Sequence, residues 1–104
     1  MSTAPVPEID VHEAARLVEA GTVPLLDVRE VDEWAEGRAP SAQHAAMSTL
    51  TMNDIPTDRL VLVICHLGGR SAMVVGQLVT AGIAATNVRG GMDAWAAAGL
   101  PVTV

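Results

Sequence analysis

The sequence predicts an α/β domain built around a parallel sheet. Short apolar runs of strand length alternate with longer segments of helical pattern, and this alternation is typical of parallel-sheet folds. The strand segments are continuously apolar, as expected of strands that are covered on both faces. Half of the 104 residues are hydrophobic and 17% are charged, so the chain is expected to fold as one domain spanning residues 1–104.

The first predicted helix, in "VHEAARLVEAG", has a recognisable start and stop. Asp10 and Glu13 have the spacing of a capping box, and Gly21 has the position of a helix stop. Leu17 and Val18 are expected to face inward. A buried strand follows at about residues 23–28.

The middle of the chain is less regular. "VDEWAEG" predicts a short helix that ends at Gly37, and "RAPSAQHAAM" predicts a proline turn followed by a short strand. "STLTMNDIPTD" is weakly helical until Pro56 interrupts it.

The second half repeats the strand–helix alternation clearly. Residues 60–64 form a strongly apolar strand segment, and "SAMVVGQLVTAG" predicts a helix that ends at Gly82. "ATNVR" predicts a short strand, and "MDAWAAAG" a last helix that ends at Gly99, with Pro101 just beyond it.

Composition excludes several classes of function. Six arginines against twelve acidic residues give a formal charge of -6, which would repel a nucleic acid backbone. No apolar run approaches the roughly 20 residues that span a bilayer, and "MSTAPVPEID" has no signal-like leader, so a cytoplasmic protein without a membrane partner is expected. His12, His44 and His66 lack metal-ligand spacing, and no metal is predicted.

The only cysteine, Cys65, directly follows the strand at residues 60–64. Parallel strands collect ligands at their carboxyl edge, where loop amides and a helix amino terminus favour an anion such as a thiolate. Gly68 and Gly69 would let the loop curve around the sulfur. Arg70 adds a charge whose direction stays open, and Ser71 is well placed to cap the next helix. Cys65 could instead be an inert buried residue, but its flanking loop favours reactivity.

Three segments resemble a single-domain rhodanese: "LLDVREVDEWAEGRAPSA", "VLVICHLGGRSAMVVGQLVTAG" and "NVRGGMDAWAAAGLPV". Residues 65–71 fit the family pattern C-x-x-G-x-R-S. The resemblance implies a three-layer α/β/α domain with a five-stranded parallel sheet. It also implies sulfur transfer through a Cys65 persulfide, without another cofactor, from a donor such as thiosulfate to cyanide or a thiol. With one cysteine in the chain, the acceptor must come from outside, and a protein is one candidate.

The resemblance also assigns roles to individual residues. The substrate-binding loop comprises His66, Leu67, Gly68, Gly69, Arg70 and Ser71. Asp27 and Arg29 either support this loop or form an ion pair between two loops. As in the family pattern, Gly90 and Gly91 should form a tight turn. Trp34 and Trp95 are expected in the core for a separate reason, because the chain has no other aromatic residue to supply bulk. His66 and Leu67 should point to the pocket mouth. Since neither carries a permanent charge, thiosulfate should bind weakly, and a persulfide or another sulfane donor should be the better substrate.

Two other functions stay open at this point. Phosphatases related to rhodanese by fold also use a cysteine loop that ends in arginine, but their loop is longer than the four residues at 66–69 here. A smaller ring suits sulfur better than a tetrahedral phosphate. The other alternative is a non-catalytic sulfur carrier or sensing module, which would keep the loop without turnover.

Overall fold

Five strands and four helices alternate along residues 5–104, the part of the chain that the computed structural model describes. The strands are β1 (Glu8–Ile9), β2 (Leu25–Asp27), β3 (Gln43–His44), β4 (Val61–Ile64) and β5 (Ala85–Val88). The helices are α1 (Val11–Glu19), α2 (Val31–Glu36), α3 (Gly69–Thr80) and α4 (Gly91–Ala97), and a 3-10 turn covers Met52–Asp54.

The strands form one parallel sheet in the order β1-β5-β4-β2-β3. β4 lies at its centre and is fully buried, as its continuous apolar sequence predicts. All carboxyl ends therefore meet at one edge of the sheet, and Cys65 lies at the middle of that edge. This confirms the predicted fold class.

Helices cover both faces of the sheet and make three layers. On one face α3 packs through Val74, Val75 and Leu78, together with Ile55. On the other face α1 and α4 pack through a second cluster that includes Val11, Ala14, Met92 and Trp95. None of the helices among residues 5–104 is long and apolar enough to cross a membrane.

Three local expectations were wrong or incomplete. β1 was not predicted from the pattern, because two residues carry no periodicity and only pairing with β5 makes them a strand. In α1 the burial falls on Val11 and Ala14, whereas Leu17 is only half-buried. Only one of the two hydrogen bonds of the capping box forms. The Asp10 carboxylate accepts from the Glu13 amide, but the Glu13 carboxylate pairs with Arg16 instead of the Asp10 amide.

The two tryptophans have different surroundings. Trp95 is buried in the core, as predicted. Trp34 is not a core residue: it lies half-buried on α2, with the His44 ring stacked on it at 4.6 Å and the Arg38 guanidinium 4.8 Å from its ring centre. No residue of α2 is buried in the core, and Trp34 is covered by flat polar groups instead.

Candidate active site

The loop between β4 and α3 is one turn long and curves around the Cys65 side chain. Gly68 has φ +103°, a conformation that only glycine adopts readily, and it forms the amino-terminal cap of α3. The helix begins at Gly69, two residues earlier than predicted. Gly69 is an ordinary helical residue without a positive φ, so only Gly68 has the backbone role predicted for both glycines.

The Cys65 sulfur is buried and accepts hydrogen bonds from this loop. The Gly68 amide lies 3.1 Å from Sγ, and the Ser71 hydroxyl lies 3.2 Å from it. Burial raises the pKa of the Cys65 thiol, but the Ser71 hydroxyl and the amides of Ser71, Gly68 and Arg70 lower it more, so the pKa ends below its ordinary value. The loop thus favours the nucleophilic thiolate.

Ser71 does not cap the helix, contrary to the prediction. It lies inside the first turn of α3, where its side chain is fully buried and its hydroxyl contacts both Cys65 and Asn87. Asn87, on β5, also donates a hydrogen bond to the Gly68 carbonyl at 3.2 Å. Sequence reasoning missed Asn87; a polar residue within a strand next to the cysteine strand was the available signal.

The first turn of α4 holds the carbonyl groups of the cysteine loop. The amides of Met92 and Asp93 donate to the carbonyls of Cys65 and His66 at 2.8 and 3.0 Å. Gly91, with φ +60°, makes this approach possible, because a Cβ there would lie 2.3 Å from the Cys65 carbonyl oxygen. The predicted tight turn at Gly90 and Gly91 is confirmed, and it holds these two carbonyls.

Arg70 binds Glu33 rather than the Cys65 sulfur and braces the loop. Its guanidinium forms a two-point ion pair with the Glu33 carboxylate of α2, at 2.7 and 2.8 Å. The hydrogen bonds from Arg70 lower the pKa of Glu33 to about 2, against the smaller opposing effect of burial. The same hydrogen bonds raise the pKa of Arg70 further above its ordinary value. Glu33 was another residue that sequence reasoning missed.

Asp27 and Arg29 form a buried ion pair at the carboxyl end of β2. Arg29 Nη2 lies 2.8 Å from Asp27 Oδ2, and the Arg29 guanidinium also donates to the carbonyls of Glu33 and Gly37 at 3.1 and 2.7 Å. The pair therefore ties the middle and the carboxyl end of α2 to the end of β2. The predicted ion pair is present, but it joins two residues of one segment rather than two loops. It reaches the cysteine loop through α2, where Glu33 binds Arg70.

The mouth of the site is exposed and acidic. His66 and Leu67 are both exposed, as predicted. A cavity of about 350 Å³ lies beside His66, and Cys65 does not line it; its walls carry one buried guanidinium and three carboxylates. Its lining residues are Arg29, Glu33, Glu36, Gly37, His66, Met92, Asp93, Ala96 and Val102. Within residues 5–104 no three His, Cys, Asp or Glu side chains come together in a way that could hold a metal.

Comparison with known proteins identifies the family to which this fold belongs. The sequence profile of the rhodanese-like domain matches residues 10–98. The chain belongs to the rhodanese-like family. A protein of Allochromatium vinosum named sulfurtransferase is 38% identical over 101 residues, which cover 93% of this chain and 94% of that protein. The rhodanese-like family and the name of this relative support sulfur transfer in general.

Solved structures of rhodanese-like proteins superpose closely on this one. A rhodanese-related protein of Thermoplasma volcanium has a TM-score of 0.86 at 28% identity, covering 93% of this chain and 97% of that one. A rhodanese-like domain protein of Staphylococcus aureus has a TM-score of 0.79 at 36% identity, covering 86% and 90%. The resemblance inferred from the three segments is thereby confirmed.

Proposed function

We propose that this rhodanese-like domain is a sulfurtransferase that carries sulfane sulfur on Cys65. The observation that supports this most directly is the convergence of the Gly68 amide and the Ser71 hydroxyl on one buried sulfur atom. Donors aimed at a sulfur stabilise negative charge on it, and the same loop amides would stabilise the charge of a persulfide bound in the loop.

In the proposed reaction two displacements occur at sulfur. The Cys65 thiolate attacks the outer sulfur of a donor such as thiosulfate, the S–S bond of the donor breaks, and sulfite leaves with the bonding electron pair. Cys65 is then a persulfide anion. An acceptor nucleophile, cyanide or a thiolate, attacks the outer sulfur, and the electron pair of the broken bond returns to the Cys65 thiolate. No metal or further cofactor takes part, and the sequence of two steps gives ping-pong kinetics.

The charges at the mouth bear on the choice of donor. Glu36 and Asp93 are exposed beside His66, and the nearby Arg29 is buried and already paired with Asp27. A dianion such as thiosulfate meets little free positive charge there, whereas an organic persulfide carries less charge. We propose a persulfide as the better donor and a small thiol or a protein thiol as the acceptor.

The phosphatase alternative has weaker support. A cysteine phosphatase needs its loop arginine for the phosphate oxygens, but both terminal nitrogens of Arg70 are bound to Glu33. Gly68, with its carbonyl held by Asn87, also closes the loop tightly around the sulfur. A passive sulfur carrier would also form the Cys65 persulfide, but it would not catalyse repeated sulfur transfer.

Mass spectrometry tests the proposal directly. The purified protein is incubated with thiosulfate or with an organic persulfide, and we expect a gain of about 32 Da on the peptide that contains Cys65. Cys65→Ser, nearly isosteric, should keep the fold and lose both this adduct and the production of thiocyanate. An unmodified Cys65 with both donors would contradict sulfur transfer, and an adduct without turnover towards cyanide or thiols would indicate a carrier.

A further inference from the structure

The Ser71 hydroxyl lies between two groups that can accept its single proton. Its oxygen is 3.2 Å from Cys65 Sγ and 2.5 Å from Asn87 Oδ1. All three residues are buried, so water does not replace a missing partner. A hydroxyl has one donor, and at any moment it serves only one of these acceptors.

The orientation of the Asn87 amide follows from its other contacts. Asn87 Nδ2 lies 3.0 Å from the Glu8 carboxylate and 3.2 Å from the Gly68 carbonyl. Both of these groups are acceptors, so the amide nitrogen must face them and the amide oxygen must face Ser71. Asn87 Oδ1 therefore accepts the Ser71 proton.

The protonation of Cys65 decides whether this network is complete. When Cys65 is a thiol, its S–H donates to Ser71 Oγ and the Ser71 hydroxyl donates to Asn87, so every group has a partner. When Cys65 is a thiolate, the sulfur and Asn87 Oδ1 are both acceptors and compete for one proton. The amides of Gly68, Arg70 and Ser71 then remain as donors that do not have to leave another partner.

We propose that Asn87 is a positioning residue that draws the Ser71 proton away from the Cys65 sulfur and so favours the states in which Sγ carries no charge. These states are the thiol and, on the proposed sulfurtransferase function, the persulfide, whose charge is on its outer sulfur. The free thiolate is the state that Asn87 disfavours. Asn87 would thus favour the persulfide over the free thiolate and shift the equilibrium of sulfur loading towards the loaded domain.

Other charges face this network and must be kept constant in a test. Arg70 lies on α3 next to the loop with Glu33 as its partner, and His66 lies on the loop itself. On β1, Glu8 contacts Asn87 and has Arg89 at 3.5 Å on its other side. None of these residues is changed in the variants below.

The test is a double-mutant cycle read out as the pKa of Cys65, measured from the ultraviolet absorbance of the thiolate during a pH titration. Ser71→Ala removes the shared proton and should raise this pKa. Asn87→Ala removes the competing acceptor and should lower it, by about one unit for a hydrogen bond to a charged group. In the Ser71→Ala background, Asn87→Ala should have almost no effect, because there is no proton left to compete for.

The cycle separates this competition from a mere loosening of the loop. Loss of the Asn87–Gly68 bond would affect Cys65 with or without Ser71, so an equal shift in both backgrounds would overturn the proposal. So would an unchanged or raised pKa in folded Asn87→Ala. If that variant fails to fold, Asn87→Val, which suits a strand and fills more of the volume, replaces it.

A measurement on the unmodified protein completes the test. The side-chain amide of Asn87 should change its NMR chemical shift with the same pH midpoint as the Cys65 titration, and an amide that ignores this titration would contradict the competition. Neither measurement uses a sulfur donor. A failure of sulfur loading would therefore refute the proposed function without being confused with a failure of this inference.

Discussion

Arg70 and Glu33 form the ion pair that joins the cysteine loop to α2, with both terminal nitrogens of Arg70 bound to the two carboxylate oxygens at 2.7 and 2.8 Å. Each side chain is about one-third exposed, so solvent screens the pair. It engages both terminal nitrogens of Arg70, and so the hydrogen bonds to the Cys65 sulfur come from the loop amides and the Ser71 hydroxyl.

We predict that Glu33→Gln lowers the free energy of unfolding by about 1 kcal/mol at neutral pH, because it removes the charge of this pair. Glu33 has a folded pKa of about 2, below its ordinary 4.5, so its contribution is complete above pH 4.5 and is lost as the pH falls towards 2. Denaturant titrations at several pH values should show the gap between wild type and variant closing across this range. Glu36→Gln on the same helix is the matched control; an equal loss there would argue against the ion pair as the cause.

Gly68→Ala and Gly69→Ala should behave differently although the residues are adjacent. At Gly68 the backbone has φ +103° and an added Cβ would lie 3.2 Å from the Gly90 amide nitrogen, so we expect a loss of about 1–2 kcal/mol and weaker sulfur loading. At Gly69 nothing lies within 4 Å and the backbone is helical, so alanine should be neutral or slightly stabilising. Thermal unfolding and persulfide mass spectrometry compare the two, and equal effects would remove the special role of Gly68.

Gly91→Ala should damage the active-site loop far more than Gly99→Ala. Both positions have positive φ values, +60° and +73°, so both carry backbone strain of about 1–2 kcal/mol with alanine. Only at Gly91 would the new Cβ lie 2.3 Å from the Cys65 carbonyl oxygen and 2.5 Å from that of His66, whereas Gly99 has open space. We expect sulfur loading to fall in Gly91→Ala and to persist in Gly99→Ala. Normal loading in a folded Gly91→Ala protein would show that the loop does not depend on this approach.

His66→Lys should lower the KM for thiosulfate several-fold. His66 is exposed at a mouth whose other free charges, on Glu36 and Asp93, are negative, and a permanent cation would offset them. Attraction between two charges is worth about 1 kcal/mol at 4 Å in water, which corresponds to this factor. Steady-state kinetics with thiosulfate and cyanide measure this KM. The second half-reaction, transfer of sulfur from Cys65 to cyanide, should change little. An equal or higher KM in the folded variant would place donor selectivity elsewhere.

The local pattern of the sequence was sufficient for the central elements and for the position of the nucleophile. A continuously apolar run of only five residues fits a strand that is covered on both faces, and so residues 60–64 were predicted as the strand that ends at Cys65; β4 covers Val61–Ile64. The backbone role of Gly68 could also be predicted, because a loop this short needs a residue that tolerates a positive φ.

The partners of the loop residues were decided by tertiary structure alone. Glu33 meets Arg70 across 37 positions of sequence, Ser71 meets Asn87 across 16, and Asn87 meets Glu8 across 79. Hydrophobic periodicity reports which face of an element is buried, but a polar side chain on that face can bond to any donor or acceptor that packing brings near. Ser71 therefore had the sequence signature of a helix cap, yet the approach of β5 to α3 made it a partner of the thiol.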